Sequence, residues 1–535
     1  MRDNKRQGSK AYSDRLHDTL LQHDNVAFWK VWKSHFGCNV SSVAVDNTCD
    51  DRSIVAIFAD YFRSVNDPPV TEREAELTNE FVRLRQLYGC DHDFVPSSIT
   101  VELVGNIVSH LKKGKAPGPD LVSVEHLLFS HPSLVYILAR VFNWILKASI
   151  VPAAFCESFT VPIPKGGNSS TRVVSSGDFR GIALSNVFSK VFESCLLNVY
   201  ADYLATEDNQ FGFKRNSGTS HAIFCAKQTI NSYIDGGDTA HLVALDITKA
   251  FPRINHMALL IKLLKRKLPT SFIDLLHNWL GRSSSRVKWK SLLSDTFTLR
   301  TGVNQGSVLA PVLFAILIND VIIKCNRADI GLILVYADDI MLIARSVHAL
   351  QELFDVVQRE LNWLNLELNY AKCCALRIGH RFDKPCACLK TTDGYSIVWV
   401  NVVRYLGIFL LKSRKFECST DNCKRSFNRA CNSILSRIMG VASEIVIMQL
   451  IRFKCLPILL YGSDVLTYKR AQTSALDFCL IRFAMKIFRS THRPSILESL
   501  HYIGLPLPSE LITLRSNRFR NRLHDCANVF VRLWV

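Results

Sequence analysis

The sequence predicts an α+β protein in which an antiparallel β-sheet is surrounded by helices. Two strand-length apolar runs, Leu332 to Val335 and Ile340 to Ile343, flank the tripeptide ADD and predict a β-hairpin with its turn at Asp338 and Asp339. A second hairpin is predicted in VVRYLGIFL and an apolar strand in HLVALD, whereas helical patterns dominate from Cys418 onward. The length of 535 residues predicts two or three packed units.

Helices, a basic loop and short strands are predicted before the apolar strand HLVALD. The first 110 residues are predicted to be helical and irregular, with an amphipathic helix in ELTNEFVRLRQLYG and no chemical motif. A basic loop rich in glycine and proline, LKKGKAPGPD, comes before a buried helix that is expected to end at Pro152. Strands and loops then alternate through SFTVPIPKGGNSSTRVVSSGDFRGIAL.

The strand HLVALD is predicted to lead into a helix that begins near Pro252. The stretch from Arg286 to Ile322 predicts a hairpin, a glycine-bounded turn and a long apolar helix, which precedes the ADD hairpin. A further helix and the short strand KCCALRIG separate this hairpin from VVRYLGIFL. The chain therefore combines helices with predicted hairpins, whose strands are antiparallel.

Composition excludes several classes of protein. Apolar residues make up 48% of the chain and charged residues 21%, which is typical of a globular protein and not of a disordered one. No uninterrupted apolar run is long enough to span a membrane, and no apolar region follows the charged start MRDNKRQGSKAYSDRL. The 17 cysteines are scattered without a CxxC pair, so we expect reduced thiols in an intracellular, non-secreted protein of the cytoplasm or nucleus.

Positive charge is concentrated at the end of the chain. From Lys412 to Val535 there are 20 Lys and Arg against 8 Asp and Glu, a net charge of +12. Residues 1–110 carry 12 against 16, a net charge of −4. The basic region predicts a polyanionic partner, and the alternative is a solvated basic face.

Two adjacent carboxylates at a strand turn repel each other unless cations hold them together. Divalent metal ions meet this need when a third carboxylate completes the site. Asp246 is the best third member, because it ends an apolar run where a strand gives way to a helix. Two ions held by Asp246, Asp338 and Asp339 would activate a 3′-hydroxyl and stabilise leaving pyrophosphate. The alternative is a solvated turn that uses Asp only for its backbone preferences.

The order of the motifs carries a resemblance to a known family. DITKAF, GVNQGSVLAPVLFAILIND and VYADDIMLIA are similar to the core motifs of reverse transcriptases of non-LTR (LINE-like) retrotransposons. KGKAPGPD, VPIPKGG, DFRGIALSNVFSKVFE, QFGFKRNSGT, LNYAKC and VRYLGIFL also resemble motifs of that group. The resemblance runs from about Leu111 to Leu411 and implies an RNA-directed DNA polymerase, with Mg²⁺ (two ions, which Mn²⁺ can replace) as its cofactor.

The resemblance also implies an architecture and partners. The family fold is a right-hand polymerase with fingers, palm and thumb and an antiparallel palm sheet. We therefore expect an N-terminal helical connector at 1–110, fingers and palm at 111–411, and a basic helical thumb-like region at 412–535. The implied partners are an RNA template, a DNA primer and deoxynucleoside triphosphates. No membrane is implied, and the oligomeric state stays open.

Residue roles follow from the resemblance position by position. The implied catalytic residues are Asp246, Asp338, Asp339 and Lys372, and the three aspartates are the implied metal ligands. The implied nucleotide-binding residues are Lys165, Arg180, Phe251, Gln305 and Gly306. The implied template–primer residues are Gln210, Gly212, Phe213, Tyr336, Tyr405, Leu406 and Gly407.

Several of these residues have plainer alternatives. Tyr336 and Phe251 suit a hydrophobic core, Lys165 a charged surface, Gly306 a loop and Asp339 a solvated turn. For the whole chain, the alternative is a catalytically silent nucleic-acid-binding fragment of a decayed element. An intron-encoded maturase is disfavoured by KGKAPGPD and VPIPKGG.

The chain departs from the family pattern at two positions. Pro252 stands where the family often has an acid, and Gly181 stands where it commonly has proline, which predicts the loss of a rigid turn beside Arg180. Full-length elements of this group usually carry an endonuclease before this region, and none is visible in the sequence. The resemblance therefore favours a truncated element copy or one piece of a longer polyprotein.

Overall fold

The computed structural model describes residues 11–12, 14–16, 18–19, 22, 25–36, 44–67, 71–88, 98–165, 173–439 and 442–534. These residues form an α+β structure of two larger sheets, short hairpins and many helices, as predicted. The glycines of VPIPKGG lie outside the described residues. Within the described ranges, no helix has both the length and the apolar character needed to cross a bilayer.

The helices are numbered here in chain order. In the first half they are α1 (Asn25–Phe36), α2 (Asp51–Asn66), α3 (Glu72–Leu87), α4 (Val101–Ser109), α5 (Val124–Leu128), α6 (Ser133–Ala148), α7 (Ala153–Cys156), α8 (Val187–Val199), α9 (Thr219–Asp235), α10 (His256–Lys265) and α11 (Thr270–Gly281). In the second half they are α12 (Ala310–Ala328), α13 (Val347–Trp363), α14 (Asp421–Ile438), α15 (Glu444–Leu450), α16 (Leu456–Leu459), α17 (Arg470–Phe488), α18 (Arg493–Tyr502), α19 (Pro508–Leu523) and α20 (Val529–Arg532). A 3₁₀ turn covers Ser176–Asp178, and a π-helical turn covers Ile451–Cys455.

The strands are β1 (Ala44–Val45), β2 (Glu157–Pro164), β3 (Val173–Val174), β4 (Phe179–Ser185), β5 (Thr239–Asp246), β6 (Ser284–Trp289), β7 (Leu292–Leu293), β8 (Phe297–Thr298), β9 (Leu332–Tyr336), β10 (Asp339–Ala344), β11 (Cys374–Gly379), β12 (Leu389–Lys390), β13 (Ser396–Trp399), β14 (Val402–Tyr405) and β15 (Ile408–Leu411). Both predicted hairpins are confirmed, as β9–β10 and β14–β15.

The larger sheet has six strands in the order β12-β13-β11-β5-β10-β9. It is mixed and not wholly antiparallel as expected, because β11 and β13 pair in parallel. Its middle strands are buried on both faces, which explains why β5 and β10 read as almost continuous apolar runs. Leu242, Met341 and Leu376 pack on one face beneath α9, and Val243, Leu342 and Ala375 belong to the main core on the other. The sheet therefore holds the residues at the ends of its central strands in fixed positions.

A second sheet, in the order β4-β2-β6-β7, lies against α2, and β8 pairs with β6 outside this path. Phe58 of α2 packs edge-on against Phe179 of β4 with ring centroids 4.8 Å apart, and the same ring contacts Trp289 of β6. These rings and their apolar neighbours form a small core of their own. The second sheet is thus anchored by a helix from the first 110 residues.

The described helices α1, α2 and α3 of the first 110 residues pack against different parts of the protein. Phe28 and Trp32 of α1 share a core with the C-terminal helices α14, α15 and α17. Helix α2 packs on the second sheet, whereas Leu77 and Phe81 of α3 join the main core. Among the described residues, the linear boundary at residue 110 therefore does not match the packing.

Two predicted helices differ in detail. The helix after β5 begins at His256 and not near Pro252, because Asn255 caps it by accepting a hydrogen bond from the backbone N–H of Ala258. Helix α6 ends at Ala148 and not at Pro152, because the next residue, Ser149, adopts a left-handed conformation. That helix is buried along one face only, since Trp144 is 65% exposed.

Candidate active site

The strand register brings the predicted carboxylates together. Asp339, the first residue of β10, pairs directly with Asp246, the last residue of β5. Asp338 lies in the turn just before β10, between the two strands of the hairpin. Residues that are directly opposite in an antiparallel pair share one face of the sheet, so Asp246 and Asp339 face the same side.

The electrostatics of the three aspartates show crowded negative charge. Surrounding protein partly desolvates Asp338 and raises its pKa, and the Asp246 carboxylate adds to this effect. The pKa of Asp339 is raised to about 6 by partial burial and by the charges of Asp338 and Asp246. Arg180 and Lys372 act in the opposite direction on Asp338, and Arg404 does so on Asp339. The site therefore favours additional positive charge.

Lys372 supplies one cation directly. Its ammonium nitrogen lies 3.0 Å from Oδ2 of Asp246. The backbone nearby is also tied to the strand end, because the N–H of Asn369 donates to the carbonyl of Asp246 over 2.8 Å. In the described ranges, no three His, Cys, Asp or Glu side chains are arranged to hold a metal ion.

A cavity of about 320 Å³ opens on one side of Asp338. Lys165, Arg180, Phe251 and Gln305, four of the predicted nucleotide-binding residues, line it together with Asp246, Asp338 and Lys372. The Lys165 ammonium donates to the carbonyl of Gly177 over 2.6 Å, and partial burial together with Lys372 and Arg180 lowers its pKa. Lys249 also lines this cavity, so four cationic side chains surround it, which is an arrangement suited to a polyanion.

Phe251 lies both in this cavity and on the hydrophobic core. Its ring stacks on Phe314 of α12 with centroids 5.0 Å apart and meets Phe213 edge-on at 6.1 Å. The ring is partly buried, and it is one of the groups that line the cavity. The sequence posed core packing and cavity contact as alternatives, whereas the structure combines them.

Gln305 and Gly306 lie against the second sheet. The carbonyl of Gln305 accepts a 2.7 Å hydrogen bond from the N–H of Ala183 in β4. A Cβ atom at Gly306 would lie 2.5 Å from the carbonyl oxygen of Ala183, and the φ angle of Gly306 is +133°. Gly306 is therefore required for close backbone approach between this loop and β4.

A larger cavity of about 930 Å³ opens on the other side of Asp338. Tyr336, Leu406 and Gly407, three of the predicted template–primer residues, line it with Asp338 and Asp339. Asp338 lines both cavities, whereas Asp246 lines the smaller cavity and Asp339 the larger one. Asp338 is therefore the carboxylate at the junction of the two spaces.

Gln210 and Gly212 support the hairpin turn from below. Gln210 is fully buried, and its Oε1 accepts hydrogen bonds from the N–H groups of Gly212 and Ala337. A Cβ atom at Gly212 would lie 2.5 Å from the backbone nitrogen of Ala337. The side chain of Gln210 thus has no surface to offer a template, whereas Phe213 is 48% exposed beside Phe251.

The predicted template–primer residues of the second hairpin, β14–β15, also differ in burial. Tyr405, the last residue of β14, is buried, whereas Leu406 and Gly407 form the turn and both have positive φ angles. The hydroxyl of Tyr461 donates to the carbonyl of Leu406 over 2.8 Å, and a Cβ atom at Gly407 would meet the Tyr461 ring at 2.7 Å. The turn is therefore held against the C-terminal helical region.

Comparison with known proteins shows which proteins this chain resembles. Residues 163–410 match the family model described as reverse transcriptase (RNA-dependent DNA polymerase). The RNA-directed DNA polymerase from mobile element jockey of Drosophila melanogaster is 28% identical over 347 residues, which are 62% of this chain and 37% of that protein. The probable RNA-directed DNA polymerase from transposon X-element of the same species is 26% identical over 333 residues, 59% of this chain and 35% of that protein. Residues 163–410 are therefore similar to reverse transcriptases, and these two relatives come from mobile elements.

The chain spans little more than a third of the length of the curated relatives that it matches. A solved structure of apo telomerase from Candida tropicalis shares 13% identity with a TM-score of 0.37 and covers 76% of this chain and 89% of that one. A TM-score at this level does not establish a shared fold.

Sequence reasoning missed three groups around the reverse transcriptase site. Tyr61 and Phe62 of α2 line the smaller cavity, and Lys249 lies 4.9 Å from the centroid of the Tyr61 ring. Arg404 of β14 lines the larger cavity beside Asp339. Glu193 of α8 is buried and accepts hydrogen bonds from the N–H groups of Val308 and Leu309, which fixes the loop after Gly306. The aromatic spacing in FADYFRSV was the available signal for α2.

The prediction that Gly181 removes a rigid turn is wrong. Gly181 lies inside β4, where it pairs with Pro162 of β2. A Cβ atom there would lie 2.8 Å from both the Phe62 ring and Cγ2 of Thr160. Gly181 therefore makes room for α2 to pack on the strand that carries Arg180.

Proposed function

We propose that this chain is an RNA-directed DNA polymerase that copies retrotransposon RNA into DNA by two-metal nucleotidyl transfer. The observation that carries the proposal is the position of Asp338, at the junction between a cavity lined by cations and a larger cavity lined by two hairpin turns. A polymerase needs this arrangement, because the nucleotide triphosphate and the primer end must meet at the catalytic carboxylates.

The right-hand architecture is part of the proposal. The six-stranded sheet with the three aspartates would be the palm, and the second sheet with Lys165 and Arg180 would be the fingers. The helical region after residue 412 would be the thumb, and the 930 Å³ cavity that it shares with the palm supports this assignment.

Mg²⁺ is the cation that the aspartates would hold, and Mn²⁺ would substitute for it. The test of fit is the donor set, since carboxylate oxygens are the ligands that these hard cations prefer. Desolvation and the neighbouring aspartates raise the pKa values of Asp338 and Asp339, and a bound cation would relieve this effect. When bound, the two ions supply activation of a 3′-hydroxyl and charge neutralisation at the leaving pyrophosphate. The remaining steps depend on the protein's own side chains.

Each side chain in the smaller cavity has a role that its position supports. Lys165 and Arg180 would bind the triphosphate, and Lys372 would donate a proton near the pyrophosphate while it orients Asp246. Gln305 would lie against the nascent base pair, with Gly306 holding its loop on β4. Phe251 would lie under the incoming sugar, where its ring would exclude a 2′-hydroxyl. Tyr336, Leu406 and Gly407 would contact the primer, and Phe213 the template.

The competing proposal is a catalytically silent fragment that binds nucleic acid. Primer extension separates the two: the purified chain is given dTTP with oligo(dT) on poly(rA) or on poly(dA), in Mg²⁺, in Mn²⁺ or with EDTA. We expect extension on the RNA template with either metal and none with EDTA. Tight binding of the RNA–DNA duplex without extension in either metal would support the silent fragment.

A further inference from the structure

Helix α2 forms one wall of the smaller cavity, although it lies before the residues that match the reverse transcriptase family model. Tyr61, Phe62 and Val65 of this helix line the cavity, and Tyr61 is half-buried there. The ammonium of Lys249, which follows β5, lies 4.9 Å from the centroid of the Tyr61 ring. An aromatic ring attracts a cation at this distance, so α2 contributes to the position of a cation in the cavity.

Contacts with the rest of the protein fix both ends of α2. Asp51, its first residue, forms an ion pair with Lys290 over 2.7 Å. At the other end, the carbonyl of Asn66 accepts a 3.0 Å hydrogen bond from the N–H of Thr301. Tyr61 is therefore held at the cavity wall by a helix that is anchored at both ends.

The charge of Lys249 is not balanced by an acidic side chain. Within the described ranges, Lys249 forms no ion pair. Desolvation and the charges of Arg253 and Lys165 lower its pKa. Its φ angle is +48°, a left-handed conformation that is uncommon for residues other than glycine. An ammonium that is crowded by other cations favours the binding of an anion.

Three lysines of the cavity form a series that extends from the carboxylates to α2. Lys372 lies at the first end, where it forms the ion pair with Asp246. Besides desolvation, which is the larger effect, the charge of Lys372 lowers the pKa of Lys165, and the charge of Lys165 lowers the pKa of Lys249. Lys165 therefore lies near both of the other lysines, and Lys249 lies at the α2 end of the series.

We infer that Lys249 binds the terminal phosphate of the incoming nucleoside triphosphate, and that Tyr61 is a positioning residue that holds the Lys249 ammonium at the cavity. This inference rests on the proposed function, which places the reacting phosphate of the nucleotide at the aspartates. The other two phosphates then extend along the series of lysines, and the last of them meets the cation at the α2 end. Helix α2 is accordingly part of the nucleotide site.

The test compares two nucleotides that differ only in the terminal phosphate. The full chain is bound to an RNA–DNA duplex whose primer ends in a dideoxynucleotide, so that no extension can occur. Mg²⁺ is present, and dTTP or dTDP is titrated as the nucleotide complementary to the next template base. The fraction of duplex that stays bound after a heparin challenge gives the Kd of each nucleotide. The ratio of the two Kd values reports contacts to the terminal phosphate.

Lys249→Met removes the ammonium and keeps an unbranched side chain. We expect the Kd of dTTP to rise by about 10-fold, because a charged hydrogen bond is lost, while the Kd of dTDP stays close to that of the unmodified chain. Lys267→Met is the matched control, because Lys267 is also exposed, has a φ angle of +57° and lines neither cavity at Asp338. This control should leave both Kd values unchanged.

Substitutions of Tyr61 test its positioning role. Tyr61→Leu should raise the Kd of dTTP by about 3-fold, because the ring contact that holds the ammonium is lost. Tyr61→Phe keeps the ring and should bind dTTP as the unmodified chain does. The double variant Lys249→Met/Tyr61→Leu should lose no more than Lys249→Met alone, since the ring acts through the ammonium. Thermal melting checks that each variant folds.

Several results would overturn the inference. Equal losses for dTTP and dTDP in Lys249→Met would place its contact elsewhere on the nucleotide, and weaker duplex binding without nucleotide would place it on the nucleic acid. Unchanged Kd values would show a solvated lysine, and additive losses in the double variant would refute the role of Tyr61. If dTTP retains the duplex better than dTDP but the unmodified chain never extends an unblocked primer, the proposed polymerase function fails while the inference about Lys249 stands.

Discussion

Gly212 provides a sharp test of how the catalytic turn is held. A Cβ atom at this position would lie 2.5 Å from the backbone nitrogen of Ala337 and 3.2 Å from the carbonyl carbon of Tyr336. Ordinary contact begins near 3.4 Å, so the Gly212→Ala substitution must move the turn by about 0.9 Å. The atoms in the way are backbone, and the fully buried Gln210 pins the same turn, so a side-chain rotation cannot relieve the overlap.

The expected result is a loss of rate larger than the loss of stability. A displacement of about 1 Å at a reacting group costs on the order of 10² in rate, or about 2.7 kcal/mol. Overpacking costs ~1–3 kcal/mol of folding free energy. The assay is single-turnover primer extension on pre-bound RNA–DNA duplex, with urea unfolding measured in parallel.

Gly281→Ala is the matched control, because a Cβ atom there, at the end of α11, meets nothing within 4 Å. This control should extend primer at the unmodified rate. A Gly212→Ala chain that is less stable but has an unchanged single-turnover rate would refute the reasoning, because the turn would then tolerate the shift.

Two further predictions concern Phe251, which lines the smaller cavity, and Glu193, which fixes the loop after Gly306. Phe251→Val should raise the ratio of ribonucleotide to deoxyribonucleotide kcat/KM by ~10-fold, about 1.4 kcal/mol. Phe314→Val is the control, because it loses the same ring contact outside the cavity, and it should lower activity without changing that ratio. An unchanged ratio in Phe251→Val would restrict the residue to core packing. Glu193→Leu should lower the free energy of unfolding, measured by urea titration, by ~2–4 kcal/mol, because it leaves the N–H groups of Val308 and Leu309 without their acceptor. Glu193→Gln keeps an acceptor and should lower the free energy of unfolding less. Equal losses in the two variants would contradict the hydrogen-bonding account.

Local patterns predicted the hairpins well, because each depends on neighbouring residues. The runs on both sides of ADD are apolar enough to be buried strands, and they form β9 and β10. The pairing of Asp339 with Asp246 could only be inferred from the motif order, since these residues are distant in sequence and no local signal sets their register.

The parts that could not be predicted depend on tertiary packing. In the sequence, Gly181 stands where the family commonly has proline. In the structure it leaves space for the ring of Phe62 of α2, which is distant from it in sequence. Gln210 lies in a motif associated with the template, yet burial beneath the turn gives it a supporting position. Tyr61 and Lys249 are also distant in sequence, and only the packing of α2 on the second sheet brings the ring beside the ammonium.

The most direct test of the central claim is the single-turnover extension rate of Asp338→Asn on poly(rA) with oligo(dT) and Mg²⁺. Removing one charge at the junction of the two cavities should lower the rate by at least ~10², while duplex binding stays close to that of the unmodified chain. Asp329→Asn is the control, since this exposed residue lies before β9 in a left-handed conformation that asparagine also accepts. The account predicts that Asp329→Asn extends normally and Asp338→Asn does not. Near-normal extension by Asp338→Asn would contradict the assignment of this site as the polymerase centre.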